Sequence, residues 1–229
     1  MELKLSPVKL RRYDSSRRQL QAQQTRSDIL AVARRRFLAD GYAATTNSVI
    51  AREAGVSVDT IYKTYGGKPG LVRAIHEQSL AGEGPVAAEA RSNALQTSEP
   101  DPRVIMRGIG QLTAEVAPRA APIMLLIRDA ALSDSDMADL KAELDDHRLQ
   151  RMTHNARNLA NAGHLRDDIT IEQAGEIMWT YSAAELYELI VINRGWSPER
   201  FGAFVADAMT AHLLPPPTTR ATRASRLAQ

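Results

Sequence analysis

The run Val58-Asp-Thr-Ile-Tyr-Lys-Thr-Tyr65 places six hydrogen-bonding side chains in eight consecutive positions. If it is helical, Ile61 and Tyr65 share one side at a spacing of four. Asp59, Thr60, Tyr62, Lys63 and Thr64 are then left on or near the other side. Thr60 and Lys63 can donate to base edges or phosphates, and Tyr62 can donate from its hydroxyl while its ring packs. Asp59 can accept from a cytosine amine or can simply weaken contact with a polyanion. Thr46, at the start of the preceding short segment, offers a hydroxyl and free backbone amides to a phosphate. Lys68 begins the next segment and can hold the same backbone. This is recognition chemistry rather than bond-making. No Ser/His/Asp arrangement suggests itself, Gly66-Gly67-Lys68 lacks the rest of a phosphate loop, and Gly108-x-Gly110 has no strand before it. His147 and His154, with Glu143 on the same face, read as an exposed polar surface. The sequence contains no cysteine, so disulfides and thiolate metal sites are excluded. The expectation is a protein that is not an enzyme and carries neither cofactor nor metal.

Two elements must position that face. Asn47–Ala54 and Val58–Tyr65 are short helical segments joined by Gly55-Val56-Ser57, the dimensions of a helix-turn-helix. Ala51 and Ala54 are small enough for the helices to cross closely, and Gly55 can take the positive φ of the turn. Ile50, Val56, Ile61 and Tyr65 supply the inward side, and Ser57 is placed to cap the second helix. A preceding helix is marked by Ile29, Ala33 and Phe37 at spacing four and ends at Gly41.

Charge divides the chain. Residues 1–76 hold fourteen Lys/Arg against six Asp/Glu, a net of +8, whereas residues 77–214 hold twelve against twenty-one, a net of −9. Only the first third is suited to a polyanion. Residues 1–22, rich in Arg and Gln without a sustained apolar period, read as a flexible basic arm, and 23–76 as the helix-turn-helix domain. Residues 77–214 read as a larger helical domain, with helices near 103–117, 119–132, 135–162, 171–194 and 198–214. Thr170 with Gln173 forms a capping box, Ser197-Pro198 starts the last helix, and Gly163 and Gly195 stand at helix ends. Residues 215–229, opened by Pro215-Pro216-Pro217, read as a disordered basic tail. No alternating strand pattern survives, so the expected fold is all-α. No apolar window of spanning length and no signal-peptide core is present, which predicts no membrane partner and a cytoplasmic location.

The run from Thr46 to Arg73, TNSVIAREAGVSVDTIYKTYGGKPGLVR, preceded by FLADGYAATT, resembles the DNA-binding domain of TetR-family regulators. The segments GHLRDDITIEQAG and ELYELIVINRGWSPERF resemble the last helices of the same family. The resemblance implies phosphate contacts at Thr46, Tyr62, Lys63 and Lys68, and base-facing positions at Asp59 and Thr60. The sequence departs from the family at Val58, where Lys is frequent, at Asp59, where a small residue is common, and at Asn47, which replaces an apolar residue. The resemblance also implies a homodimer formed through the last two helices, with Leu186, Ile190, Phe204 and Ala208 as interface candidates. It further implies a small-molecule effector held among central helices, for which Met106, Met124, Arg128 and Trp179 are the candidates. The resulting expectation is a repressor that binds a near-palindromic double-stranded operator and is released by its effector. A helical adaptor, or an activator on the same architecture, is the alternative.

Overall fold

The computed structural model describes residues 12–82 and 84–216, and among them every regular element is helical. The chain falls into two compact units that divide between Ile75 and His76.

The first unit contains α1 (Arg12–Asp40), α2 (Asn47–Glu53), α3 (Val58–Tyr65) and the start of α4 (Lys68–Leu80). Ile29, Ala33 and Phe37 of α1 are fully buried, as the spacing requires, and so are Ile50, Ile61 and Leu71 of the same unit. Gly41 leaves α1 at φ 83°, and the Phe37 ring stacks on Tyr42 at 5.8 Å just beyond it. Thr45, also buried, donates its hydroxyl to the Gly41 carbonyl at 2.8 Å and closes the loop. The expected arm is corrected from Arg12 onward, because residues 12–22 form the first turns of α1. The run contains no Gly or Pro, and its three Arg and two Gln, with Leu20 and Ala22, are good helix formers that need no burial. Residues 16–24 are exposed all round, which explains why no apolar period announced them. Residues 1–11, and most of the basic tail (217–229), lie outside the described residues.

The second unit contains the end of α4, α5 (Ala88–Ser98), α6 (Pro102–Ala130), α7 (Ser135–Asn161), α8 (Ile171–Tyr181), α9 (Ala184–Tyr187), a π-helical turn (Glu188–Ile192) and α10 (Pro198–Leu213). Its core gathers Met106 of α6, Leu159 of α7, Met178 of α8, Tyr187 of α9, and Phe201, Val205 and Met209 of α10. The capping box of Thr170 and Gln173 is formed in both directions, and Ser197 caps α10 ahead of Pro198. Two boundaries differ from expectation. α6 runs unbroken through Pro118 and Pro122, where a division had been read. Ala120, Ala121 and Ile123 are buried on either side, and their packing outweighs the roughly 3 kcal/mol that an interior proline costs. The segment 171–194 is not one helix, because α8 stops at Tyr181. There the Trp179 carbonyl accepts from Ser182 Oγ at 2.9 Å and from Arg148 Nη1 at 2.6 Å, so side chains take up the helix end. No helix among the described residues is long and apolar enough to cross a membrane.

Candidate nucleic-acid interface

The surface carrying Asp59 and Lys63 is built by two capped helices. Thr46 precedes α2 in extended conformation, and its hydroxyl accepts from the Val49 amide at 3.2 Å. Ser57 does the same for α3, accepting from the Thr60 amide at 3.1 Å. Gly55 takes φ 66° between the helices, and the Val56 amide returns to the Ala51 carbonyl at 2.9 Å. Ile50, Ala51 and Ile61 are buried where the helices cross, while Val56 and Tyr65 are half-buried. The Tyr65 hydroxyl donates to the Arg26 carbonyl at 3.3 Å, fastening the end of α3 to α1.

Burial of that inner side presents the outer one. Thr46, Asp59, Tyr62 and Lys63 are exposed, and Thr60 is half-buried with its hydroxyl 2.8 Å from that of Ser57. Tyr62 is 54% exposed, and the edge of its ring lies against Gly67, which takes φ 115°. A Cβ at Gly67 would meet the ring at 3.3 Å and the Asn47 amide nitrogen at 3.6 Å. Tyr62, Asn47 and Gly67 therefore meet at the start of α2. Asn47 is the departure noted in the sequence, and its Oδ1 is buried with no hydrogen-bond partner among the described residues. Lys63 Nζ sits 2.7 Å from Asp59 Oδ2, one helical turn away on the same exposed strip. Lys68 is directed differently from the others. Its ammonium donates to the Tyr42 carbonyl at 2.8 Å and lies 4.1 Å above the Tyr42 ring, joining the loop after α1 to α4.

Arg35 and Arg36 of α1 clamp Glu53 of α2. Arg36 also reaches Asp40 at 3.1 Å. The hydrogen bond from Arg36, with that of Arg35, holds the Glu53 carboxyl below its ordinary range. A carboxyl depressed on folding adds stability above its unfolded pKa and loses it as pH falls through the folded value. The wild type is therefore expected to melt above Glu53→Gln at pH 7, with the gap closing below about pH 4. A gap independent of pH in thermal melts would show that the clamp does not act through charge.

The other expected residues are scattered over the second unit. Met106 is fully buried in its core and Met124 is half-buried on α6. Arg128 is held by Glu188 at 2.6 Å and by Asp129 at 2.9 Å, which keep its guanidinium charged and join α6 to the π-helical turn. The Trp179 ring lies 4.4 Å beneath the Arg148 guanidinium. None of these four lines the groove of about 680 Å³ between α6 and α10, whose walls include Arg107, Gln111, Glu199 and Asp207. Leu186 and Ile190 pack half-buried against the core, and Phe204 sits edge-on between Tyr181 at 6.4 Å and Trp196 at 6.0 Å. Ala208 is half-buried on α10. The π-helical turn instead exposes Leu189 and Ile192.

Residues 29–75, which contain α2, α3 and most of α1's buried face, match the family described as bacterial regulatory proteins, tetR family. No curated protein matches the chain. Solved structures do, along most of both chains. A TetR-family regulator of Syntrophomonas wolfei described as putative is 16% identical, with a TM-score of 0.68 over 83% of this chain and 95% of its own. SmeT, the repressor of the Stenotrophomonas maltophilia multidrug efflux pump SmeDEF, is 17% identical, with a TM-score of 0.62 over 85% of this chain and 92% of its own. The fatty acid degradation regulator FadR of Bacillus halodurans is 14% identical, with a TM-score of 0.62 over 81% and 94%. At these identities the likeness is one of fold.

Proposed function

We propose, from the match of residues 29–75 to the tetR family of bacterial regulatory proteins, that the protein is a dimeric transcriptional repressor. It binds a near-palindromic duplex through α3 and is released by a small molecule received in the second unit. The observation that carries this reading is the outer face of α3. Asp59, Tyr62 and Lys63 stand exposed on a rigid, doubly capped pair of helices inside a unit of net positive charge. One such helix reads few base pairs, and a second copy adds a half-site about one helical turn away. The stripe of Phe204 and Ala208 on α10, with Leu186 and Ile190 ahead of it, is the surface through which the copies pair. Thr46, Tyr62 and Lys63 meet the phosphate backbone, while Thr60 and Asp59 face the bases. Lys68 acts mainly by bracing Tyr42.

Release requires an effector that prefers the conformation unable to span successive major grooves, by a few kcal/mol. Support for Trp179 as a contact comes from its indole Nε1, which is buried without an acceptor among the described residues, as is Nε of the stacked Arg148. An effector carrying a carbonyl or carboxylate oxygen offers these donors a partner. The reading is tested by titrating the protein against duplex DNA at several salt concentrations. A saturable complex whose affinity falls steeply with salt is expected, because bound cations leave the phosphates as the protein arrives. Affinity that is absent or indifferent to salt would favour a helical adaptor.

A further inference from the structure

The recognition helix carries no net charge. In Val58–Tyr65 there is one carboxylate and one ammonium, and they are paired with each other at 2.7 Å. Their side chains are 68% and 76% exposed, so the pair lies on the surface rather than inside a core contact. An exposed pair of this spacing contributes only about 0.3–0.5 kcal/mol to a helix, so its worth to stability is small. Two of the uncharged polar residues of the strip have neighbours of their own. The Thr60 hydroxyl is shared with Ser57, and the Tyr62 ring leans on Gly67 at the α2 end. The charged groups on the outer face of α3 are thus one acceptor and one donor, side by side.

Resting on the DNA-binding reading above, we infer that Asp59 and Lys63 together read one C·G base pair of the operator half-site in the major groove. A C·G pair presents the N4 amine of cytosine, a donor, next to the O6 carbonyl of guanine, an acceptor. Asp59 accepts from the amine and Lys63 donates to the carbonyl, with guanine N7 within the ammonium's range. The ion pair of the free protein is replaced by two contacts of the same polarity, so neither charge enters the groove uncompensated. The reversed pairs, G·C and T·A, are refused, because guanine O6 or thymine O4 then stands as an acceptor opposite a carboxylate that can only accept. An A·T pair keeps an amine beside a carbonyl but puts the thymine methyl where guanine has its second acceptor, so Lys63 gains less there. A carboxylate near the backbone also lowers affinity for duplexes that lack the C·G pair, which sharpens discrimination. Asp59 is therefore a specificity-determining residue, and Lys63 serves a base as well as the duplex charge.

The test is selection of binding sites from a pool of random duplexes with full-length wild type and with Asp59→Asn. Asparagine has the size of aspartate, and its exposed position leaves the fold unaffected, which circular dichroism verifies. Wild-type sites are expected to share a C·G pair at one position of each half-site. Reversing that pair to G·C weakens wild-type binding by about tenfold or more. Asp59→Asn sites are expected to keep the rest of the pattern and lose the preference at that position, since asparagine favours adenine. If both proteins select the same sites, Asp59 is only a helix-start and ion-pair residue and the inference is overturned. If the variant binds every duplex more tightly with an unchanged pattern, Asp59 acts as bulk repulsion, and the inference fails as well. If neither protein enriches any sequence, the DNA-binding reading itself fails, and the assignment falls with it.

Discussion

Gly202→Val is expected to lower the melting temperature by roughly 6–12 °C, corresponding to about 3 kcal/mol in a chain of this size. α6 and α10 cross backbone on backbone. A Cβ built on Gly202 would collide with the Gly110 carbonyl oxygen and lie 2.9 Å from Ala114 Cβ, and one on Gly110 would collide with the Gly202 carbonyl oxygen and lie 2.8 Å from Ala206 Cβ. No rotamer change relieves a clash with a carbonyl, so the helices must separate and unpack Met106 from Phe201 and Val205. Gly108 gives the contrast on the same helix. A Cβ there meets only the Leu95 side chain, which can move, so Gly108→Ala is expected to be near neutral. Thermal melts of the two variants check the account. Equal and small shifts would mean that the α6–α10 crossing is looser than the structure shows.

The second large effect is expected from Gly70→Ala, which should abolish duplex binding at protein concentrations that saturate the wild type. α3 ends at Gly66, in left-handed conformation with φ 75°, and the chain turns at once into α4. The turn is so tight that a Cβ on Gly70 would fall on the Tyr65 carbonyl oxygen and 2.8 Å from its carbon. Tyr65 is the last residue of α3 and is fastened to α1 through its hydroxyl, so displacing it tilts the helix whose outer face reads DNA. Leu71 and Val72, both fully buried, are carried along with the first turn of α4. The unit is small and its stability correspondingly slight, so a loss of even about 2–3 kcal/mol is a large part of the whole. Binding measured beside circular dichroism decides the matter. Full binding by a folded Gly70→Ala protein would show that the α3–α4 turn tolerates what the geometry forbids.

The glycines show where sequence reading succeeds and where it stops. Gly55, Gly163 and Gly195 stood at turns or helix ends in the periodicity, and all three take positive φ. Gly110 and Gly202 carried no such sign, because a close approach between helices distant in sequence leaves no local pattern. The same contrast holds at the interface. The caps at Thr46 and Ser57 and the buried Ile50 and Ile61 follow from spacing alone, and the outer face of α3 follows from them. Lys68 was expected on DNA, yet its direction is set by Tyr42, twenty-six positions earlier. The pairing of Arg35 and Arg36 with Glu53 has no local sign either, since seventeen or eighteen positions separate the partners. The helix over residues 12–22 leaves no sign in the sequence, because apolar periodicity reports burial rather than helicity and residues 16–22 are exposed. The residues expected around an effector follow the family resemblance, and the structure scatters them among core, ion pair and stacked ring.

The central claim is that the exposed face of α3 binds DNA, and one comparison tests it most directly. Wild type and Tyr62→Ala/Lys63→Ala would be titrated by mobility shift against duplex from upstream of the protein's own gene, at low and moderate salt. Both residues are exposed, so circular dichroism should show the double variant folded. The account predicts a saturable, salt-sensitive complex for the wild type and its loss in the variant. Binding by the variant equal to that of the wild type at both salt concentrations would contradict it.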